Sequence, residues 1–360
     1  MDFQQIASQF GLTDPVTDWE EMRSGNINRT CLVTIGDRQY IFQRINTYVF
    51  KKPAEVMENI MNVTEHIKKK LLAETGSYDR RVLSFLKTKC GKPYYYTGNH
   101  HFWRVYEYVD NAVAYDQVKQ PKQFYEAGYS FGEFQAWLSD FPAETLHEII
   151  PHFHDTPVRF QDLRNAVEMN AAGRCAEVEE EIRFLLDRER ESRVLMDALH
   201  DGRLPWRVTH NDTKINNILF DKESQEAICV IDLDTVMPGA SLFDFGDAVR
   251  YGASTAVEDE RDLSKVSLSI ELYEQFTRGF LKGAGGLLHE NEVEMLLPSV
   301  KVMTLELAVR FLTDYLNGDL YFKTRSKDHN LVRTRTQIQL VKDMEAKWDE
   351  LRAVTERCRL

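Results

Sequence analysis

The stretch His210–Asp247 reads HNDTKINNILFDKESQEAICVIDLDTVMPGASLFDFGD, and the rest of the chain can be read outward from it. Ile228-Cys229-Val230-Ile231 is an apolar run of the length and composition of a short buried strand, and it ends on Asp232. Asn217-Ile218-Leu219-Phe220 reads as the strand before it, with the charged segment Asp221–Glu226 as the turn between them. Asp232 therefore stands where a strand gives way to a loop. Asp212 and Asn217 stand in the loop that feeds the earlier strand.

This layout suits phosphoryl transfer. That reaction needs a carboxylate to accept the proton of the attacking hydroxyl and hard oxygen ligands to hold Mg2+ against the phosphates. Protein kinases place the base in an H-R-D loop, an Asn five residues after that Asp, and a metal-binding Asp at a strand end. His210, Asp212 and Asn217 reproduce the first part and Asp232 the second. The H-x-D-x-x-x-x-N pattern alone recurs by chance. Paired with Ile231-Asp232-Leu233-Asp234 about fifteen residues on, it is far more specific than a polar turn between two strands.

His210–Leu219 resembles the H-G-D-x-H-x-x-N-x-L motif of aminoglycoside phosphotransferases and choline kinases, and Leu242-Phe243-Asp244 resembles the P-L-x-D motif that follows it there. A closer likeness is to N-acetylhexosamine 1-kinases, carried by Tyr40–Asn46 (YIFQRIN), Pro151–Pro157 (PHFHDTP) and Phe243–Arg250 (FDFGDAVR). The resemblance covers most of the chain. It implies an α+β, two-lobed protein-kinase-like fold: a small antiparallel-sheet lobe over residues 1–109 that binds nucleotide, and a larger, mainly helical lobe over residues 110–360 for catalysis and acceptor binding. ATP and Mg2+ would occupy the cleft. Asp212 would orient and deprotonate the acceptor, Asn217 and Asp232 would hold Mg2+, and His210 and Asp244 would support the catalytic loop. An N-terminal helix cap is the competing account of Asp244, and both can hold. The implied acceptor is the anomeric hydroxyl of N-acetylglucosamine or N-acetylgalactosamine. Two other readings stay open: a kinase for an aminoglycoside, amino alcohol or homoserine, and a non-catalytic nucleotide-binding module.

The 360-residue chain has room for a sizeable core in two or three domains. Its net charge of −12 argues against a general nucleic-acid or anionic-membrane binder, but ATP needs only a local positive site and a metal. The five cysteines are odd in number, scattered and without C-x-x-C spacing, as expected of reduced thiols. The N-terminal MDFQQIASQF lacks the form of a signal peptide, and no run reaches membrane length. The expectation is a cytoplasmic enzyme with a small-molecule sugar as its partner, neither nucleic acid nor membrane, and its oligomeric state open.

Hydrophobic patterning predicts a short helix over 1–10, then strands over 16–22, 29–35 and 39–45, as at the start of a kinase small lobe. The loop 23–28 between the first two is the candidate phosphate cover, with Gly25 and Asn26; it lacks the other glycines of a G-x-G-x-x-G loop. On the third strand Gln43 stands at the place of the kinase lysine and Arg44 beside it; their side chains point to opposite faces, so only one reaches the phosphates directly. A helix over 53–74 has Pro53 at its first position and Val56, Ile60, Val63, Ile67 and Leu71 toward the sheet. Strands over 82–87, 93–97 and 102–109 complete the lobe. By resemblance, Glu107 and Val109 in the connector offer backbone groups to the adenine edge.

Beyond the connector, 121–139 reads as a helix with a buried aromatic stripe, and Gly128 and Gly132, four apart, allow close helix packing. The segment 141–160 is irregular, and His147, His152 and His154 lack zinc-motif spacing. Residues 163–199 read as a charged helical stretch with salt-bridged faces. In the helix 301–317, Glu306, Arg310 and Asp314 form one polar stripe, either a surface ion-pair ladder or part of the acceptor cleft, with Arg310 and Tyr321 as the candidate substrate contacts. A last amphipathic helix runs through Ile338–Leu351.

Overall fold

A computed structural model describes residues 2–22 and 27–359. Gly25 and Asn26 lie outside the described residues. The chain opens with α1 (Phe3–Gln9), whose first turn is capped by Asp2 accepting from the Gln5 N–H at 3.0 Å. Three antiparallel strands follow, β1 (Val16–Glu21), β2 (Arg29–Ile35) and β3 (Arg38–Ile45), the last two joined by a turn in which Gly36 takes a positive φ of 58°. After α2 (Pro53–Thr75) come β4 (Tyr95–Tyr96) and β5 (Phe102–Glu107), giving the sheet order β1-β2-β3-β5-β4.

Strand alternation sorts the two faces of this sheet. Cys31, Val33, Tyr40, Phe42, Trp103 and Val105 turn to one side and bury against Phe3, Ile6 and Phe10 of α1. Thr30, Gln43 and Arg104, which pair across β2, β3 and β5, turn to the other. The stripe of α2 predicted to face the sheet is buried in an apolar cluster that includes Ile45 of β3, with Phe102 and Tyr106 of β5 packed against it, and that runs on into the helical part of the protein. Asn59 of α2 is fixed there, its amide donating to the carbonyls of His147 (2.8 Å) and Val236 (2.9 Å).

The strand expected over 82–87 does not form. Leu86 donates to Val105 O and Glu107 to Ser84 O, and one isolated bridge joins Phe85 to Tyr106. The adjoining length of that edge of β5 is taken by β4, so no ladder extends.

The connector Tyr108–Asn111 leads directly into β6 (Ala112–Val113), which is followed by the helix α3 (Pro121–Trp137). The stretch expected to be helical over 163–199 is broken into α4 (Thr156–Met169), α5 (Glu179–Leu186), α6 (Glu189–Ser192) and α7 (Val194–His200); the first break falls where Asn170 and Gly173 take left-handed backbone. Its charges pair mainly across elements, as in Arg164–Glu189, Arg188–Glu345 and Arg335–Glu181. Next come β7 (Arg207–Thr209), β8 (Ile218–Asp221), β9 (Ala227–Val230) and β10 (Met237–Gly239), forming a β6-β8-β9 sheet and a β10-β7 pair.

The remaining helices are α8 (Ser241–Gly252), α9 (Ile270–Ala284), α10 (Glu290–Glu294), α11 (Leu296–Leu316), α12 (His329–Ala346) and α13 (Trp348–Cys358). The glycine spacing in α3 does permit close packing, and α9 answers it. A Cβ on Gly128 or Gly132 would lie 2.3 or 2.2 Å from a carbonyl oxygen of α9, and one on Gly279 or Gly283 would lie 2.0 or 2.1 Å from one of α3. The backbones touch because only glycine leaves that room. No helix among the described residues is long and apolar enough to cross a membrane.

Candidate active site

Two short strands hold the ends of the decisive stretch together: Thr209 of β7 pairs with Met237 of β10, and Arg207 with Gly239. Arg207 is anchored in turn by Glu292, which takes two hydrogen bonds from its guanidinium at 2.6 Å and one from the Ser241 hydroxyl. The loop that follows is pinned on every side. His210 is buried against Phe131 and Phe134, and its Nε2 lies 2.9 Å from Ile231 O at the end of β9. Asn211 takes a left-handed φ of 66°, and its amide donates to Thr235 O at 2.8 Å.

Asp244 binds this loop from α8. Its two carboxylate oxygens accept the N–H groups of His210 (2.9 Å) and Asn211 (2.7 Å), one of them also accepts from Gln135, and its backbone oxygen accepts from the Thr213 hydroxyl at 2.6 Å. The helix-cap account fails, since Ala240 holds the N-cap position. Burial pushes the Asp244 carboxyl up from its ordinary range, against the pull of His210 and the two N–H groups.

With the loop held, Asp212 presents a partly exposed carboxylate. Lys214 Nζ lies 2.8 Å from its Oδ1, and Asn217 Nδ2 donates to its Oδ2 at 3.1 Å. Burial works against the Lys214 charge, but Asp212 and Asp247 more than offset it and hold the ammonium above the ordinary lysine value. Asp232 follows β9 in a left-handed conformation, φ 60° and ψ 55°, a backbone state that a non-glycine residue keeps only where its surroundings impose it. Its carboxylate has no hydrogen-bond partner among the described residues. Burial first, and then Asp234 and Asp212, push its pKa up to about 7.

This donor set fits a hard divalent cation. Asn217 spends its amide nitrogen on Asp212 and, among the described residues, accepts no hydrogen bond on its amide oxygen, while the Asp232 carboxylate is likewise unspent among them and crowded by negative charge. No group of three or more His, Cys, Asp or Glu able to hold a metal occurs among the described residues. Two protein oxygens completed by phosphate and water is the arrangement Mg2+ takes beside nucleotides.

On the small-lobe side Gln43 is on the cleft face, its carbonyl accepting from Arg104 Nε (2.9 Å) and Nη2 (2.8 Å), its amide donating to Thr30. Arg44 does not reach the cleft. It turns to the opposite face, where its Nη1 is 3.5 Å from His101. Glu107 is tied by its N–H to Ser84 and its side chain is exposed, whereas the Val109 N–H donates to no protein group among the described residues.

At the far end, Glu306 and Asp314 are buried, so the stripe on α11 is no surface ladder. Asp314 accepts the N–H groups of Leu320, Tyr321 and Phe322 and fixes the loop after α11. Glu306 pairs with His154 at 2.9 Å, and His147 and His152 likewise meet carboxylates, Glu58 and Asp155. The Arg310 guanidinium sits among three rings, those of Phe153 (5.4 Å), Phe322 (5.6 Å) and Tyr321 (6.0 Å), 3.7 Å from Glu306. Sequence reasoning missed Lys214, Asp234, Asn28 and Arg104. Lys214 and Asp234 lie inside the quoted motifs, where a charged side chain two residues from each key aspartate was the available signal. Asn28 and Arg104 carry none without the cross-strand register.

A model of the APH phosphotransferase enzyme family matches residues 18–280. The chain belongs to that family. The phosphotransferase is also similar to a microcompartment-associated aminopropanol kinase, at 18% identity over 96% of this chain and 97% of that one, with a TM-score of 0.66. An aminoglycoside phosphotransferase from Alicyclobacillus acidocaldarius gives 14% identity, 99% and 97% coverage and a TM-score of 0.63. A spectinomycin phosphotransferase solved with ADP and spectinomycin gives 13%, 98% and 97%, and 0.57. At these identities the likeness is one of fold, and the fold is the two-part kinase-like architecture expected: a small antiparallel sheet and a larger helical part. As a member of the family the protein is a small-molecule kinase with an alcohol acceptor.

Proposed function

We propose that this phosphotransferase moves the γ-phosphoryl group of ATP to the anomeric hydroxyl of an N-acetylhexosamine, giving the sugar 1-phosphate. Residues 1–109 hold the nucleotide, with the free N–H of Val109 and the carbonyl of Glu107 at the adenine edge, and residues 110–360 carry the chemistry. Asn217 and Asp232 hold Mg2+, which neutralises phosphate charge when bound. Asp212 takes the hydroxyl proton as the sugar oxygen attacks phosphorus and the bond to the ADP oxygen breaks. Lys214 keeps a positive charge beside that carboxylate, where the transferred group passes.

One observation carries the acceptor class. The aromatic rings of Phe153, Tyr321 and Phe322 form the kind of box that takes an ammonium ligand, but Arg310 of the protein itself already fills it. Arg310 makes no hydrogen bond among the described residues and is 15% exposed in its side chain, so its N–H donors are unspent. A cationic amino alcohol or aminoglycoside meets like charge there. A neutral, hydroxyl-rich sugar with an acetamido carbonyl meets donors.

The test is a panel of acceptors with ATP and Mg2+, the product position read by phosphorus–proton NMR. N-acetylglucosamine or N-acetylgalactosamine 1-phosphate is the expected product, and a 1-deoxy sugar should bind without reacting. Phosphate on the 6-hydroxyl, or turnover of amino alcohols alone, overturns the proposal and leaves the kinase fold untouched.

A further inference from the structure

Of the sheet's cleft face, Thr30, Gln43 and Arg104 stand side by side in register on β2, β3 and β5. The position that in a kinase carries the phosphate-binding lysine is the neutral Gln43. Its neighbour Arg104 is the cation on that face among the described strand residues, since Arg29, Arg38 and Arg44 alternate to the other side.

Arg104 is only 2% exposed. Burying a guanidinium that deeply is costly unless it is paired, and its partner comes from across the cleft: Nη1 meets Asp234, two residues past Asp232. The other Asp234 oxygen is taken by the amide of Asn28, at the end of the loop between β1 and β2. Asn28 in turn accepts the Asn46 N–H at 2.9 Å. The guanidinium is thus aimed at the segment after β9 that begins with the proposed metal ligand Asp232. It is not fully spent. Gln43 takes Nε–H and one Nη2–H, Asp234 takes one Nη1–H, and a second Nη1–H has only the Met57 sulfur at 3.8 Å. One Nη2–H has no partner among the described residues.

We infer that Arg104 is the nucleotide-phosphate-binding cation of this protein, moved one strand over from the place where kinases keep their lysine, with Asp234 as its counter-ion when no nucleotide is bound. Gln43 orients it by accepting two of its N–H groups, which fixes the plane of the fork. A guanidinium so fixed offers paired donors to phosphate oxygens. The inference rests on the kinase reading above, because it needs phosphates in this cleft.

Isothermal titration of adenosine, ADP and ATP against Arg104→Gln, Arg104→Lys, Asp234→Asn and the double variant Arg104→Gln/Asp234→Asn decides it. Arg104→Gln should weaken ADP and ATP binding by about 10–100-fold and adenosine by no more than about twofold, with Arg104→Lys between it and the parent. A purely structural Arg104 would act through the unpaired Asp234, so removing both charges would restore ATP affinity. Phosphate recognition predicts that the double variant keeps the defect. Should Arg104→Gln alone not fold, the charge-balanced double variant carries the measurement. Restored affinity in the double variant, parallel loss of adenosine and ATP, or no loss at all overturns the role of Arg104. A parent protein that binds no nucleotide overturns the kinase reading instead.

Discussion

Asn217 lies across Asp212: its amide nitrogen donates to the Asp212 backbone oxygen at 2.7 Å and to the carboxylate at 3.1 Å. One side chain thereby fixes the rotamer of the proposed base and turns its own amide oxygen away from it. The Asp212→Asn variant should still fold, since the side chain is partly exposed and Lys214 keeps Asp247 beside it, and lose about 10²–10⁴ in kcat. Steady-state kinetics with circular dichroism checks this, and near-native turnover would remove Asp212 from the role of base.

Asp232→Ala should abolish turnover at any Mg2+ concentration and remove the Mg2+ dependence of ATP binding. The motive is a left-handed strand end whose carboxylate meets no donor among the described residues. Titration of ATP with and without Mg2+ reads it. Persistent metal-dependent ATP binding in this variant would assign the cation to other ligands.

Asp244 acts through the loop it holds. Asp244→Ala strands the His210 and Asn211 N–H groups in the interior, at about 1–3 kcal/mol for each. Melting temperature and kcat should fall together, with Asp244→Asn intermediate because one acceptor oxygen survives. Loss of activity at an unchanged melting temperature would point to direct chemistry.

Glu292 gives a pH signature. Burial raises its pKa, but Arg207, Ser241 and the His289 N–H more than reverse that and hold it below the ordinary 4.5. A depressed carboxyl contributes stability above the unfolded-state value, and that contribution disappears as pH falls through the lower folded-state value. Glu292→Gln should therefore cost about 3–5 kcal/mol at neutral pH by leaving Arg207 unpaired. The gap from the parent protein should narrow below about pH 4. Thermal melts from pH 3 to pH 7 test it, and a gap independent of pH would mean that the loss is one of packing alone.

The loop from His210 to Asn217, the aspartate at the end of β9 and most of the small antiparallel sheet were legible as structure because each is written locally: an apolar run, a turn, a polar spacing. Gln43 and Arg44 could be set on opposite faces by strand alternation, but which face met the cleft depended on α1, which covers one side. Arg104 was illegible for a related reason. It reads as one charge in an apolar strand, and its meaning comes from the register with β3 and from Asp234, 130 positions later. The first break in 163–199 was missed because charge patterning outweighed Asn170 and Gly173. The stripe of Glu306, Arg310 and Asp314 could be read either as a surface ladder or as part of the acceptor cleft because helical spacing does not say which side of α11 is covered.

The glycine contact between α3 and α9 also bears on how the chain is made. α3 ends at Trp137 and α9 begins at Ile270, so the first helix is synthesised well before the surface it fits. At ribosomal rates of about 5–20 residues per second it waits roughly 7–27 s. Through that interval the ring of Phe124, buried in the finished protein against Phe276 of α9, is without the helix that will cover it. A nascent chain stalled near residue 260 should accordingly be a client for holdase chaperones and sensitive to protease at α3, even with the amino-terminal sheet already made.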